Sequence, residues 1–232
     1  MSELSSTFQT IVEARRSLRA FKPEPISQQV LDRVFNQAQR APSNCNTQPW
    51  IVHVASGATI EKLRSEMSDR FMAGDMSMDF PYDGVYDGVY KERQHGSAQA
   101  LYDSVGIERS DKARRHVQFM RNFTFFDAPH VAFLFLPEPF GLREAADLGM
   151  YAQTLMLGFT AFGLASCPQT ALSFNAKLVR DVLAVALDPG LDRDQDDVRC
   201  IGDAAKLGVA RARDAGAKAP LLLLHGVPSH PD

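Results

Sequence analysis

The chain has 232 residues, 45% of them hydrophobic and 23% charged, with a formal net charge of −3. This is the composition of a globular domain with a substantial core, and it offers no cationic surface for nucleic acid or an anionic membrane. No stretch reaches the roughly 20 apolar residues that a membrane span requires, and the polar opening segment lacks the pattern of a secretory signal.

Cys45, Cys167 and Cys200 are odd in number and form no CxxC pair, so a cytoplasmic chain with reduced thiols is expected. The histidines, among them His53, His95, His116 and His130, show no metal-ligand spacing.

Phe8, Ile11 and Val12 share one helical face within residues 6–16, which end in Arg15-Arg16. Ser17 to Pro23 reads as an extended turn, because the residue before a proline avoids the helical region. Ser27 is placed to cap a helix with the face Val30, Leu31, Val34, Phe35 and Ala38, which stops near Ala41-Pro42. A polar loop, Ser43 to Pro49, then leads into a strand expected over Trp50–Ala55.

An amphipathic helix fits residues 59–73. Residues 74–97 are rich in Gly, Asp, Pro and Tyr, and the tetrad Asp83-Gly84-Val85-Tyr86 recurs as Asp87-Gly88-Val89-Tyr90. Two copies do not make a repeat architecture. The segment reads as a long aromatic loop or lid-like insertion.

Helical pattern resumes from Ser110 to Phe126. Val131–Leu136 is an almost unbroken apolar run, as in a strand covered on both faces. Residues 143–162 form the longest predicted helix; it is apolar around much of its circumference, which suits the core or a subunit interface. Leu164–Cys167 is a short strand candidate, and Ser173 is expected to cap a helix running to Leu183–Ala186. An acidic, turn-rich connection over 187–197 and a strand at Leu221–Leu224 follow. The irregular alternation indicates a single α+β or mixed domain without regular βαβ repeats. Neither a GxGxxG after a strand nor a GxxxxGK[ST] is present, which argues against a Rossmann domain or a P-loop.

Two segments carry chemistry. In Arg15-Arg16-Ser17-Leu18-Arg19, three guanidinium groups and a hydroxyl lie within five residues, able to clamp a phosphate dianion through charged, bidentate hydrogen bonds. A solvated basic helix end is the alternative. Ala41-Pro42-Ser43-Asn44-Cys45-Asn46-Thr47-Gln48-Pro49-Trp50 concentrates amides and hydroxyls that suit the edge of a heterocycle presenting both acceptors and donors. A self-capping polar loop is the alternative there.

Together, RRSLRAF and APSNCNTQPW, in this order and spacing, resemble the opening of the nitroreductase family of FMN-dependent oxidoreductases. The resemblance continues in DLGMYAQTLML (147–157) and GLASCPQTA (163–171), and it covers residues 8 to about 186. It implies an α+β nitroreductase-like fold: a mainly antiparallel central sheet flanked by helices, dimeric, with 143–162 as the dimer helix.

The implied cofactor is FMN, reduced by NADH or NADPH and reoxidised in ping-pong order by a nitroaromatic or quinone-type acceptor. Dehalogenation, enone reduction or non-enzymatic flavin binding are the alternatives within the fold. Arg15, Arg16, Ser17 and Arg19 are implied to hold the phosphate and the ribityl and pyrimidine side. Ser43, Asn44 and Asn46 are implied to reach the FMN held mainly by the other subunit. Pro168, Gln169, Thr170 and Ala171 are implied to line the ring, and Thr170-Ala171 stands where relatives often carry Glu-Gly.

No catalytic side chain is assigned, and Cys167 reads as a buried structural thiol. The aromatic residues Phe71, Phe80, Tyr82, Tyr86 and Tyr90 are candidates for a lid over a planar acceptor. Beyond residue 187 the pattern diverges, and Arg213, with Arg211 and Lys206 as alternatives, is the candidate for a further phosphate contact.

Overall fold

The apolar run around residue 133 organises the molecule. In the computed structural model, which describes residues 2–137, 140–183, 198–199 and 217–226, this run is strand β2 (His130–Pro137). It pairs antiparallel with β1 (Ile51–Ser56) on one side and with β5 (Ala217–Gly226) on the other. β5 pairs with β3 (Ala165–Gln169), and β1 with the short β4 (Val198–Arg199), giving the order β3-β5-β2-β1-β4. Every pairing between these strands is antiparallel.

Helices cover both faces of the sheet, which is why β2 reads as a continuous apolar run rather than an alternating one. Val131, Phe133 and Phe135 point into one cluster, with Ile60, Leu63 and Met67 of helix α3 (Gly57–Ala73) and Leu178 and Val179 of α7 (Ala176–Val182). Ala132, Leu134 and Leu136 point into the other, with α2 (Gln28–Ala38) and α6 (Leu142–Ala161). Phe35 meets Phe159 edge-on at 5.8 Å between the last two helices. Gly158 lets them approach, since a Cβ there would lie 3.1 Å from Val34 Cγ1. The first helix, α1 (Glu3–Ala14), buries none of its residues.

Several expectations need correction. The segment 74–97 is not one loop: its second half opens helix α4 (Gly88–Ser104). That helix has no buried residue, so its sequence lacks the apolar periodicity that announces a helix. The helix expected over 110–126 is α5 (Lys112–Met120), followed by a tight turn at Phe125–Asp127.

Ser27 sits at the N-cap of α2 but makes no side-chain cap bond. Ser173 does not cap α7; Asn175 holds that position, while the Ser173 hydroxyl donates to the Thr170 carbonyl at 2.8 Å. A local side chain-to-backbone bond thus competes with the cap. The strand expected at Leu221–Leu224 is present as β5, inside the sheet between β3 and β2. The acidic connection 187–197, Cys200, Lys206, Arg211 and Arg213 lie outside the described residues.

Candidate functional site

Arg15 to Arg19 run from the C-cap of α1 into an extended turn that lies along β3. Ser17 forms a parallel bridge with Ser166, and the Leu18 N–H donates to the Ser166 carbonyl at 3.2 Å. The turn is therefore held by backbone pairing and leaves its side chains for other work. Arg19 donates to the Ser17 carbonyl at 3.4 Å and stands close enough to Cys167 to act on it electrostatically. Burial pushes the Cys167 thiol up to about 11, and the Arg19 charge only partly offsets this, so the thiol stays protonated and inert.

Beside Arg19 lies a cleft of about 150 Å³ lined by Tyr102, Gln118, Phe119, Asn122 and Phe126. Asn122 connects it to β3, accepting from Gln169 Nε2 at 2.9 Å. Gln169 is 5% exposed, yet among the described residues its Oε1 has no partner, and neither has the buried Ser166 hydroxyl. Buried polar atoms are seldom left unpaired, so the Gln169 Oε1, on the strand that carries the cationic turn, marks a place made for a ligand; Ser166, three residues earlier, faces the other side of the strand. Thr170 and Ala171 continue this edge into the turn Ala171–Phe174.

The loop Ser43–Gln48 is built differently. Cys45, Asn46 and Gln48 have φ of 50°, 55° and 47°. Left-handed backbone costs about 1–2 kcal/mol for each such residue unless the surroundings dictate it. Ser43 Oγ accepts from the Gln48 N–H at 2.9 Å, and Gln48 Nε2 donates to Asn46 Oδ1 at 3.1 Å. The Asn44 N–H donates to Asp147 Oδ2 on α6 at 2.9 Å. Trp50, which closes the segment, stacks on Tyr151 of α6 at 4.8 Å and donates from its indole to Gln39 at 2.8 Å.

Among the described residues, the other non-glycine positive φ values are at Phe125, Phe126 and Asp127, the turn that supplies Phe126 to the cleft. Both strained segments thus adjoin predicted site residues, where strain is commonly kept.

The aromatic segment is strapped to the turn Ala171–Phe174 and the residues that follow it. The Ser77 N–H donates to the Phe174 carbonyl at 2.7 Å, and Asn175 Nδ2 donates to the Asp75 carbonyl at 2.9 Å. Arg180 grips Asp79 through two bonds of 2.5 and 3.0 Å, and Tyr82 stacks on Phe174 at 6.1 Å. Phe80, Tyr86 and Tyr90 are exposed.

Within one chain, then, the Arg-rich turn and residues 168–171 come together along β3, whereas the loop 43–48 packs with α6 on the other face of the sheet. Sequence reasoning missed Asn122, Tyr102 and Asp147. Asn122 had a signal: a lone amide within the aromatic run Phe119–Phe126, where a polar group needs a partner. Tyr102 had none, because α4 lacks an apolar face.

A model of the nitroreductase family matches residues 12–192. The chain is 41% identical over 184 residues to nitroreductase NfnB of Mycolicibacterium smegmatis, covering 79% of each chain. It is 33% identical to a 4-nitrobenzoate reductase of Pseudomonas putida, over 79% of this chain and 81% of that one. The solved FMN-dependent nitroreductase NfnB of Mycobacterium smegmatis, in complex with NADPH, superposes with a TM-score of 0.81 at 34% identity, covering 98% of this chain and 90% of that one.

Proposed function

This chain belongs to the nitroreductase family, and from that premise we propose that it is an FMN-dependent oxidoreductase that uses NAD(P)H to reduce nitroaromatic or quinone-type acceptors. The observation that carries this reading is the pairing of the Arg15–Arg19 turn with β3, which also bears the Gln169 Oε1 that is unpaired among the described residues. The residues present fit the cofactor. Its phosphate matches the guanidinium groups of Arg15 and Arg16 with the Ser17 hydroxyl. Its pyrimidine edge, with alternating carbonyl and N–H groups, matches a cleft bearing Arg19 and Asn122, the latter bonded to the Gln169 amide.

When bound, FMN supplies the hydride and electron chemistry between NAD(P)H and the acceptor. The chain supplies position and charge. Arg19 holds positive charge at the pyrimidine side and so favours a ring carrying negative charge there. Pro168, Gln169, Thr170 and Ala171 line the ring face along β3. The strapped segment 75–82, with its exposed Phe80, and Tyr86 and Tyr90 beyond it, offers flat apolar surface to a planar acceptor.

Ser43, Asn44 and Asn46 lie away from this half of the site in the same chain, which fits a homodimer in which each loop completes its partner's site. The exposed face of α1, with Leu4 79%, Phe8 61% and Val12 43% accessible, supports such an assembly. An exposed free thiol at Cys45 supports a reducing, cytoplasmic location; no described helix is long and apolar enough to cross a membrane.

One visible spectrum tests the core of this reading. Purified protein should be yellow, or become so on addition of FMN, and should bleach anaerobically with NADPH. Colourless protein that takes up no FMN overturns it. Turnover on 4-nitrobenzoate, a quinone and an enone then fixes the acceptor class, and rapid enone reduction without nitro reduction overturns the nitroaromatic assignment.

A further inference from the structure

Asp147 is a buried carboxylate that the reading above leaves without a task. It is 4% exposed, and among the described residues no cation pairs with it. Its recorded contact is the 2.9 Å bond from the Asn44 N–H. A carboxylate withdrawn from water is costly unless a specific contact requires it.

The contact lies at a telling place. Asn44 begins the turn in which Cys45, Asn46 and Gln48 adopt left-handed backbone. The remaining bonds of residues 43–48 are internal: Ser43 to Asn46 and Gln48, Asn44 to Thr47, Gln48 to Asn46. Among the described residues, the Asn44–Asp147 bond is the one hydrogen bond that ties this turn to another element, across 103 positions of sequence.

Asp147 also stands one helical turn before Tyr151, the residue on which Trp50 stacks. One face of α6 therefore grips the loop at both ends, by a charged acceptor at Asn44 and by an aromatic stack at Trp50.

We propose that Asp147 is a positioning residue: its carboxylate pins the strained Asn44–Gln48 turn to α6 and so presets Ser43, Asn44 and Asn46 for the flavin. The effect on FMN rests on the function proposed above, whereas the effect on the loop does not. Preorganisation of this kind acts by sparing the ordering of the loop when the ligand arrives.

The test uses the full chain and three readouts. Trp50 is the sole tryptophan, so its emission in flavin-free protein reports the loop directly. Asp147→Ala should shift that emission and weaken FMN binding about tenfold or more, in line with loss of a charged hydrogen bond. Asp147→Asn keeps an acceptor oxygen and should restore both. Folded Asp147→Ala protein with unchanged Trp50 emission and unchanged FMN affinity overturns the proposal, as does Asp147→Asn behaving like Asp147→Ala.

Should Asp147→Ala fail to fold, amide hydrogen exchange on the wild type decides: Asn44 should be protected well beyond Cys45, and equal exchange overturns the proposal. Wild-type protein that takes up no FMN refutes the proposed function instead, and the emission and exchange readouts still judge the loop.

Discussion

The two halves of the candidate site are held by opposite means. The Arg15–Arg19 turn is fixed by backbone pairing with β3, through the Ser17–Ser166 bridge and the Leu18–Ser166 bond. The Ser43–Gln48 loop is fixed by side chains: Ser43, Gln48, Asp147, and Trp50 stacked on Tyr151. A backbone clamp tolerates changes of side chain, so the first half is free to devote its side chains to a ligand. The second spends several side chains on its own shape, and single substitutions there should reach beyond the residue changed.

The contrast is open to direct attack. The largest effect is expected from Tyr151→Ala, which removes the fully buried ring beneath Trp50; unfolding in denaturant should show a loss of roughly 3–5 kcal/mol. A loss below 1 kcal/mol would mean that the stack does not hold the second half. Next, Arg19→Ala should weaken FMN binding by roughly 1.5–3 kcal/mol, ten- to hundredfold, with little change in melting temperature. A variant that loses stability instead of affinity would erase the distinction between the halves.

A smaller effect is expected from Ser43→Ala, which leaves the Gln48 N–H without its acceptor; about 1 kcal/mol of stability should be lost, read by thermal melting. Ser17→Ala, in the backbone-held half, should melt within about 0.5 kcal/mol of wild type.

The smallest effect lies outside both halves. His130 Nε2 accepts from the Ile26 N–H at 2.8 Å, and its Nδ1 bonds the Ser56 hydroxyl at 2.6 Å, so the ring is neutral. Burial holds its pKa below the ordinary 6.5. The unfolded chain therefore binds a proton that the native ring refuses, and stability should fall as pH drops from about 6.5 toward the native value. Melting temperatures between pH 7 and pH 5 measure this, and His130→Gln should flatten part of the slope; an unchanged slope would assign it to other groups.

Legibility in the sequence followed burial. The β2 run, the face of α2 and the whole of α6 could be read because each buries a periodic or continuous apolar set. Helix α4 could not, because it buries nothing. The Arg-rich turn and the polar loop were legible as segments through their composition and order. What could not be read was how each is held: a turn clamped by Ser166 and a loop pinned by Asp147 depend on contacts more than 100 positions away. The Asn122–Gln169 link, across 47 positions, is likewise not a local contact.

The position of β5 carries a consequence for how the chain is made. Strand β5, the last in sequence among the described residues, lies between β3 and β2, so these strands cannot close into one sheet until residues 217–226 have been synthesised. Until then the facing edges of β2 and β3 have no partner, and β2 is buried along almost its whole length in the finished fold. Open apolar edges pair readily with other chains. A nascent or truncated chain that ends before β5 is thus a candidate for aggregation or chaperone capture, and long-range pairings such as His130 with His225 make for slow folding.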